Sequence, residues 1–266
     1  MITGKTKTLA ILADPVTHVR TPQALNQRFA EAGIDAVLVP LEVPAKALQA
    51  TVNGLKACRN FAGLVVTVPH KTTVPAFCDV LSARAEAAMS VNVIRRGADG
   101  LLYGDLLDGE GFARGLERAG VEVAGKRVFL AGAGGAASAI AFALAARGIS
   151  ALSIANRSRE KAEALIARLA AQYPALECHA QADPSGHDIA INGTSLGLNA
   201  GDPLPFDPAK LSAGTLVAEV IMQPEVTALL TAAQARGLRI HTGKHMLEEQ
   251  LNEMLSFLTQ DMGEVL

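Results

Sequence analysis

Short apolar runs alternate with amphipathic stretches along the chain. Runs of strand length lie at Leu9–Ala13, Ala36–Leu41 and Gly63–Val68, and helical patterns fill the gaps at Pro22–Ala32 and Ala45–Ala57. In the first helix Leu25, Phe29 and Ala32 recur at i, i+4 and i+7, which puts them on one face. Ala32-Gly33 supplies the stop. This order and spacing predict parallel pairing with right-handed crossovers. A second series runs through strand Arg127–Ala131, helix Ala136–Arg147 closed by Gly148, strand Ala151–Ala155 and helix Arg159–Gln172. It continues with strands Asp188–Asn192 and Leu216–Ile221, helix Val226–Arg236 and strand Leu238–His241. The final stretch, His245–Gln260, carries Met246, Leu247, Leu251, Met254, Leu255 and Leu258 on its apolar side. The pattern predicts two α/β domains, residues 1–107 and 108–244, with the change-over in a helical segment within Asp108–Lys126. One large domain is the alternative.

Composition narrows the class. At about 150 residues per domain, 266 residues suit two. The 24 Lys and Arg against 26 Asp and Glu leave a net charge of -2 without blocks of like charge, so no nucleic-acid partner is expected. Half the residues are hydrophobic, which excludes a disordered chain. Aromatics are 4% and Trp is absent, so the core is aliphatic. Cys58, Cys78 and Cys178 form no CxxC, which predicts neither a disulfide scaffold nor a zinc site. A soluble protein of a reducing compartment, the cytoplasm, is expected. Two segments imitate membrane signals. Leu9–Ala13 is too short for a signal-peptide core. Val128–Ala146, with Ser138 as its one polar side chain, is long enough to span a bilayer. The cluster Gly132, Gly134, Gly135 instead reads as a turn between strand and helix.

That turn carries the first chemistry. Arg127–Ala131 leads into Gly132-Ala133-Gly134-Gly135-Ala136-Ala137, a GxGxxA pattern opening a helix. The first glycine permits a tight turn, the second lets backbone approach a pyrophosphate, and Ala137 lets helix pack on strand. The helix N-terminus, with Gly135 and Ala136, attracts the anion. A dinucleotide cofactor follows. The next strand ends in Asn156-Arg157-Ser158-Arg159, where an NAD site would place an acid for the ribose hydroxyls. Arg157 suits a 2′-phosphate, so NADP is preferred; the alternative is that Arg157 and Arg159 are solvated charges at a helix entry.

At this point the sequence resembles the shikimate dehydrogenase family over nearly its whole length. Asn156-Arg157-Ser158 with Lys161-Ala162 is similar to the family's NADP-selecting segment, and Val66-Thr67-Val68-Pro69-His70-Lys71 to the strand end that delivers its catalytic lysine. Ser90-Val91-Asn92 resembles its substrate-binding asparagine segment. The stretch Gly104–Phe112 matches the G-x-N-T-D-x-x-G-F pattern at Gly, Asp and Phe. Asn192–Gly197, with Thr194, resembles the loop near the nicotinamide, and Met246–Gln250 the helix that supplies a substrate-contacting glutamine.

The resemblance implies an N-terminal open α/β substrate domain and a C-terminal Rossmann NADP domain. The last helix, 245–266, would pack back on the first, and the site would lie in the cleft between the domains. It implies Lys71 as acid/base with Asp108 beside the same hydroxyl. Substrate would be held by Thr21, Thr67, Asn92 and Gln250, and cofactor by Gly132, Gly134, Gly135, Ala136, Asn156, Arg157, Ser158, Thr194 and Gly243. No metal is expected, and His18, His70, His241 and His245 receive no catalytic role. Burial lowers a lysine pKa while a neighbouring carboxylate raises it, so the two influences on Lys71 oppose each other.

Some positions depart from the family pattern. The usual Ser-x-Ser before a proline is Val19-Arg20-Thr21, Val65 stands for an asparagine, Leu106-Leu107 for Asn-Thr, and Met222 for a tyrosine. One lost hydrogen bond to a carboxylate weakens binding by roughly 10- to 100-fold. The chain therefore reads as a divergent member, with Thr21 and Arg20 as candidates to hold a carboxylate. It would interconvert shikimate and 3-dehydroshikimate, or a related hydroxylated ring carboxylate, in the family's aromatic amino acid biosynthesis. The alternatives are a quinate dehydrogenase, an enzyme of a ring substrate without a carboxylate, and a catalytically idle NADP-binding sensor. A monomer or homodimer is expected.

Overall fold

The computed structural model describes residues 2–17 and 19–262. The chain divides into two compact units, Met1–Leu107 with Leu251–Leu266, and Asp108–Gln250.

The first unit is built on β1 (Lys7–Ala13), α1 (Thr21–Glu31), β2 (Ala36–Glu42), α2 (Leu48–Ala57) and β3 (Phe61–Val66). These are the elements the apolar pattern predicts. The stretch expected as one helix from Ala45 splits into a 3-10 turn, Ala45–Ala47, and α2. After β3 come β4 (Val80–Leu81), α3 (Ala83–Ala88), β5 (Val93–Arg96) and β6 (Leu102–Asp105), none of which the pattern indicated. The sheet runs β2-β1-β3-β5-β6-β4. Parallel pairing holds for β1 with β2 and β3, but β5 is antiparallel to both β3 and β6. The β5–β6 pair is a hairpin: Gly97 N–H bonds Leu101 O at 2.8 Å, and Gly100 takes φ +83° in the Asp99-Gly100 turn.

The second unit holds α4 (Asp108–Arg118), β7 (Arg127–Ala131), α5 (Gly135–Ala146), β8 (Ala151–Ala155), α6 (Arg159–Gln172) and β9 (Glu177–Ala180). It continues with β10 (Ile189–Asn192), β11 (Leu216–Glu219), α7 (Ala228–Ala235) and β12 (Arg239–His241). Helix α8, Gly243–Thr259, gives its first turns to this unit and the rest to the first. The expected end of the last helix, 263–266, lies outside the described residues. The membrane-like segment Val128–Ala146 resolves into β7, a glycine turn and α5, and no helix of the described residues is long and apolar enough to cross a membrane.

All strands of the second sheet are parallel, in the order β9-β8-β7-β10-β11-β12. This is the doubly wound 3-2-1-4-5-6 arrangement, which opens a crevice at the carboxyl ends of its two central strands. One face is closed by Phe129, Phe206, Val217, Leu229 and Leu230. Three glycines let α4 come close to its neighbours. A Cβ on Gly109 would collide with the carbonyl of Ala139 in α5, and one on Gly111 would lie 2.8 Å from Gln250 Cα in α8. A Cβ on Gly115 would meet His245.

Two glycine substitutions should therefore move stability in opposite directions. Gly54, inside α2, has open space around it, so Gly54→Ala should stabilise by about 0.5–1 kcal/mol through helix propensity. Gly109→Ala must displace backbone and should cost about 3 kcal/mol or more. Urea unfolding of both variants checks this; equal midpoints would contradict the packing described.

Candidate functional site

The glycine turn lies where the doubly wound sheet reverses direction. Gly132 follows β7 with φ +113°, and a Cβ there would sit 2.8 Å from the carbonyl oxygen of Gly193, which follows β10. Ala137 packs beneath: a Cβ on Gly193 would come 3.0 Å from its methyl. Above Gly134 and Gly135 the space is open, with no atom within 4 Å of a built Cβ. Helix α5 starts with no side-chain cap, so its first N–H groups face that space unsatisfied by the protein. An open turn on an uncapped twelve-residue helix fits a pyrophosphate.

The corner after β8 fits the rest of the adenosine half. Asn156 donates through Nδ2 to Ser158 O at 2.8 Å, which shapes the bend. Ser158 precedes α6 without capping it by its side chain. The two arginines differ: Arg159 pairs with Glu163 at 2.7 Å within α6, whereas exposed Arg157 makes no ion pair among the described residues. Arg157 is thus the guanidinium suited to a 2′-phosphate.

On the other side of the crevice, Asn192 ends β10 fully buried and organises the following loop. Its Oδ1 accepts from Thr194 N at 3.0 Å and Thr194 Oγ1 at 2.7 Å, and its Nδ2 donates to Leu196 O at 2.9 Å. Gly243 opens α8 in contact with the turn after β11, where a Cβ would lie 2.4 Å from Ile221 O. Only glycine fits that approach. The same unit brings Asp108 and Gln250 together. Asp108, 5% exposed at the start of α4, accepts a hydrogen bond from Gln250 Nε2 through Oδ1.

The first unit gathers a second group. Thr67 follows β3, and Lys71 sits half-buried in the 3-10 turn His70–Thr72. His70, 1% exposed, pins that turn by donating from Nε2 to Val43 O at 2.7 Å. The Lys71 carbonyl accepts from Val91 N at 2.9 Å, which ties the lysine turn to the Asn92 segment. Asn92 is buried, with its Oδ1 accepting from Leu107 N at 2.8 Å. Thr21 is half-buried at the first position of α1, and no hydrogen bond links it to the Lys71 turn. His18 lies outside the described residues. Among the departures, Val65, Leu106 and Leu107 are buried in this unit's core, Val19 is half-buried, and Met222 of the second unit is 47% exposed.

Sequence reasoning assigned no role to Glu219 or to the His70 pin. Asn192 and Glu219 are the polar ends of two otherwise apolar strands, and only the fold shows that they meet.

A parallel 3-2-1-4-5-6 sheet with an open glycine turn at its reversal point defines a dinucleotide-dependent α/β enzyme. The comparisons with known proteins specify which kind. Residues 11–94 match the family model described as shikimate dehydrogenase substrate binding domain, and residues 116–195 match the one described as shikimate / quinate 5-dehydrogenase. The shikimate dehydrogenase (NADP(+)) of Rubrobacter xylanophilus is 42% identical over 92% of this chain and 88% of its own. The crystal structure of shikimate 5-dehydrogenase from Listeria monocytogenes, in complex with shikimate and NAD, superposes with a TM-score of 0.92 at 30% identity, covering 97% of this chain and 93% of that one. The ligand-free 5-ketofructose reductase of a Gluconobacter species gives 0.90 at 32% identity, covering 97% and 94%. The chain belongs to the shikimate dehydrogenase family.

One group of the second unit makes a pH prediction. His241 is 4% exposed, its Nε2 has no hydrogen-bond partner among the described residues, and its ring stacks on His245 at 4.7 Å. Burial, aided by His245, holds its pKa down from 6.5 to about 4. The unfolded chain therefore binds a proton that the folded one refuses between these values. Stability is complete above about 6.5 and falls as pH drops toward about 4, by about 3 kcal/mol in all. Urea unfolding at pH 7 and pH 5 should show a smaller loss for His241→Leu than for the unaltered protein; parallel losses would contradict it.

Proposed function

We propose that the chain is an NADP-dependent shikimate dehydrogenase, an oxidoreductase that interconverts shikimate and 3-dehydroshikimate. The observation that carries the reading is kinship, over 92% of the chain, with an NADP-dependent shikimate dehydrogenase in a chain that has Lys71, Asn92, Asp108 and Gln250. The quinate and idle-sensor readings are not favoured. Simple cofactor binding has no use for Lys71 with Asp108.

In this reading the first unit binds substrate and the second binds NADP. The bound cofactor supplies the hydride acceptor for shikimate oxidation and the donor for the reverse reaction. Gly132, Gly134, Gly135 and Ala136 receive the pyrophosphate on backbone N–H groups. Asn156, Arg157 and Ser158 hold the 2′-phosphate, and Thr194 and Gly243 line the nicotinamide end. Lys71 takes the hydroxyl proton as an amine and returns it as an ammonium during ketone reduction. Asp108, its carboxylate oriented by Gln250, offsets the positive charge that Lys71 gains with the proton. Thr67 and Asn92 hold the ring hydroxyls, and Thr21 takes over a carboxylate contact from the serine pair. Three free cysteines suit a cytoplasmic setting. The particle is a monomer or homodimer without a nucleic-acid partner, which sedimentation reads directly.

The experiment is NADP reduction by purified protein with shikimate and quinate, and NADPH oxidation with 3-dehydroshikimate and 5-ketofructose. Shikimate and 3-dehydroshikimate should give the highest kcat/KM. A higher value for 5-ketofructose would overturn the substrate assignment while leaving the cofactor intact. Arg157→Ala should weaken NADPH by roughly 10- to 100-fold, with NADH changed little, because one charged contact to the 2′-phosphate is lost. Equal losses for both cofactors would contradict the role of Arg157.

A further inference from the structure

Glu219 ends β11 with 0% exposure, and no cation pairs with it among the described residues. Its Oε1 accepts the N–H groups of Val220 at 2.9 Å and Ile221 at 3.2 Å. Its Oε2 accepts Asn192 Nδ2 at 3.1 Å and Thr227 Oγ1 at 3.0 Å. Four donors converging on two oxygens are what an ionised carboxylate satisfies, since it is acceptor-only. A glutamine would turn its own N–H2 toward two of them. Burial holds the Glu219 pKa above the ordinary carboxylate value, and the four hydrogen bonds oppose that rise only in part.

The network reaches three segments. Through Asn192 it fixes the loop of Thr194 and Leu196. Directly it fixes the Val220–Ile221 backbone, against which Gly243 packs. Through Thr227, whose hydroxyl accepts Leu230 N at 3.3 Å, it fixes the start of α7. The loops after β10 and β11 serve the second half of the 3-2-1-4-5-6 sheet. The glycine turn after β7 and the arginine corner after β8 serve the first. A dinucleotide spans both halves. With the adenosine end at the arginine corner, the β10–β11 side receives the nicotinamide.

We propose that Glu219 is the positioning residue of the nicotinamide half-site: its buried carboxylate holds Thr194 and the Val220–Ile221 backbone in the arrangement that accepts the ring, without acting on the adenosine half. This rests on the cofactor reading above. Gly243 belongs to the same arrangement, since its close approach depends on where Val220 and Ile221 are held.

Calorimetry with two ligands tests it: NADP+, and 2′-phospho-ADP-ribose, which lacks the nicotinamide. Glu219→Gln should bind NADP+ about tenfold more weakly and keep its affinity for the fragment within about twofold. Equal weakening of both ligands would show a general structural role and overturn the proposal, as would unchanged NADP+ binding. Should Glu219→Gln not fold, Thr227→Val removes one of the four donors and keeps the carboxylate. It should lose about threefold, again for NADP+ alone; a loss shared by the fragment, or none, overturns the proposal. If the unaltered protein binds neither ligand, the cofactor reading falls and takes this one with it. Binding of both ligands, unchanged in the variants, overturns this one alone.

Discussion

Strands β7 and β10 of the second unit end so close together that a Cβ on Gly132 would sit 2.8 Å from the carbonyl oxygen of Gly193. A Cβ on Gly193 would in turn crowd the methyl of Ala137 at 3.0 Å. From that contact the rest of the site follows. Because β7 continues to β8 on one side while β10 lies on the other, the chain must leave the two ends in opposite directions, and a crevice opens between them. Gly132 turns with φ +113°, and helix α5 starts three residues later with no side-chain cap on its first N–H groups. A larger residue at any of these three positions would push helix from strand and close the space an anion needs.

Chemistry is mounted on the same principle of close backbone approach. Gly109 and Gly111 let α4 lie against α5 and α8, so that Asp108, at the first position of α4, meets Gln250 on α8. The first unit uses polar pins instead. His70 is fastened to Val43 and the Lys71 carbonyl to Val91, so the lysine turn is held from its flanks. Positioning by such contacts is what general acid–base catalysis requires, because a proton moves only over hydrogen-bond distance.

Most of the parallel fold was legible because strands such as β1, β7 and β10 are local apolar runs and the helices between them local periodicities; β9, Glu177-Cys178-His179-Ala180, is parallel too but has no apolar run to betray it. Strand Arg127–Ala131 and helix Arg159–Gln172 have the bounds the pattern predicts. The antiparallel insertion of β5 and β6 was missed: its strands have four residues each, too few to show alternation, although Asp99-Gly100 marks their turn. The glycine turn and Arg157 could be read from spacing alone. Asp108 and Gln250, 142 positions apart, could be joined only through family resemblance. Glu219 escaped because a buried acid on a strand carries no local signature, and its side-chain partner Asn192 is 27 residues away. The departures Val65, Leu106 and Leu107 are buried in the core and absorbed by packing, whereas Val19 and Met222 are not.

In the proposed reaction Lys71 moves the hydroxyl proton and Asp108 contributes only through Lys71. The most direct measurement of this is a double-mutant cycle on kcat for shikimate oxidation, with Lys71→Ala, Asp108→Ala and the double variant, each first shown to bind NADPH. Lys71→Ala alone should lower kcat by roughly 10²- to 10⁴-fold, and adding Asp108→Ala should cost little more. Losses that multiply independently, or a Lys71→Ala variant that keeps its turnover, would contradict it.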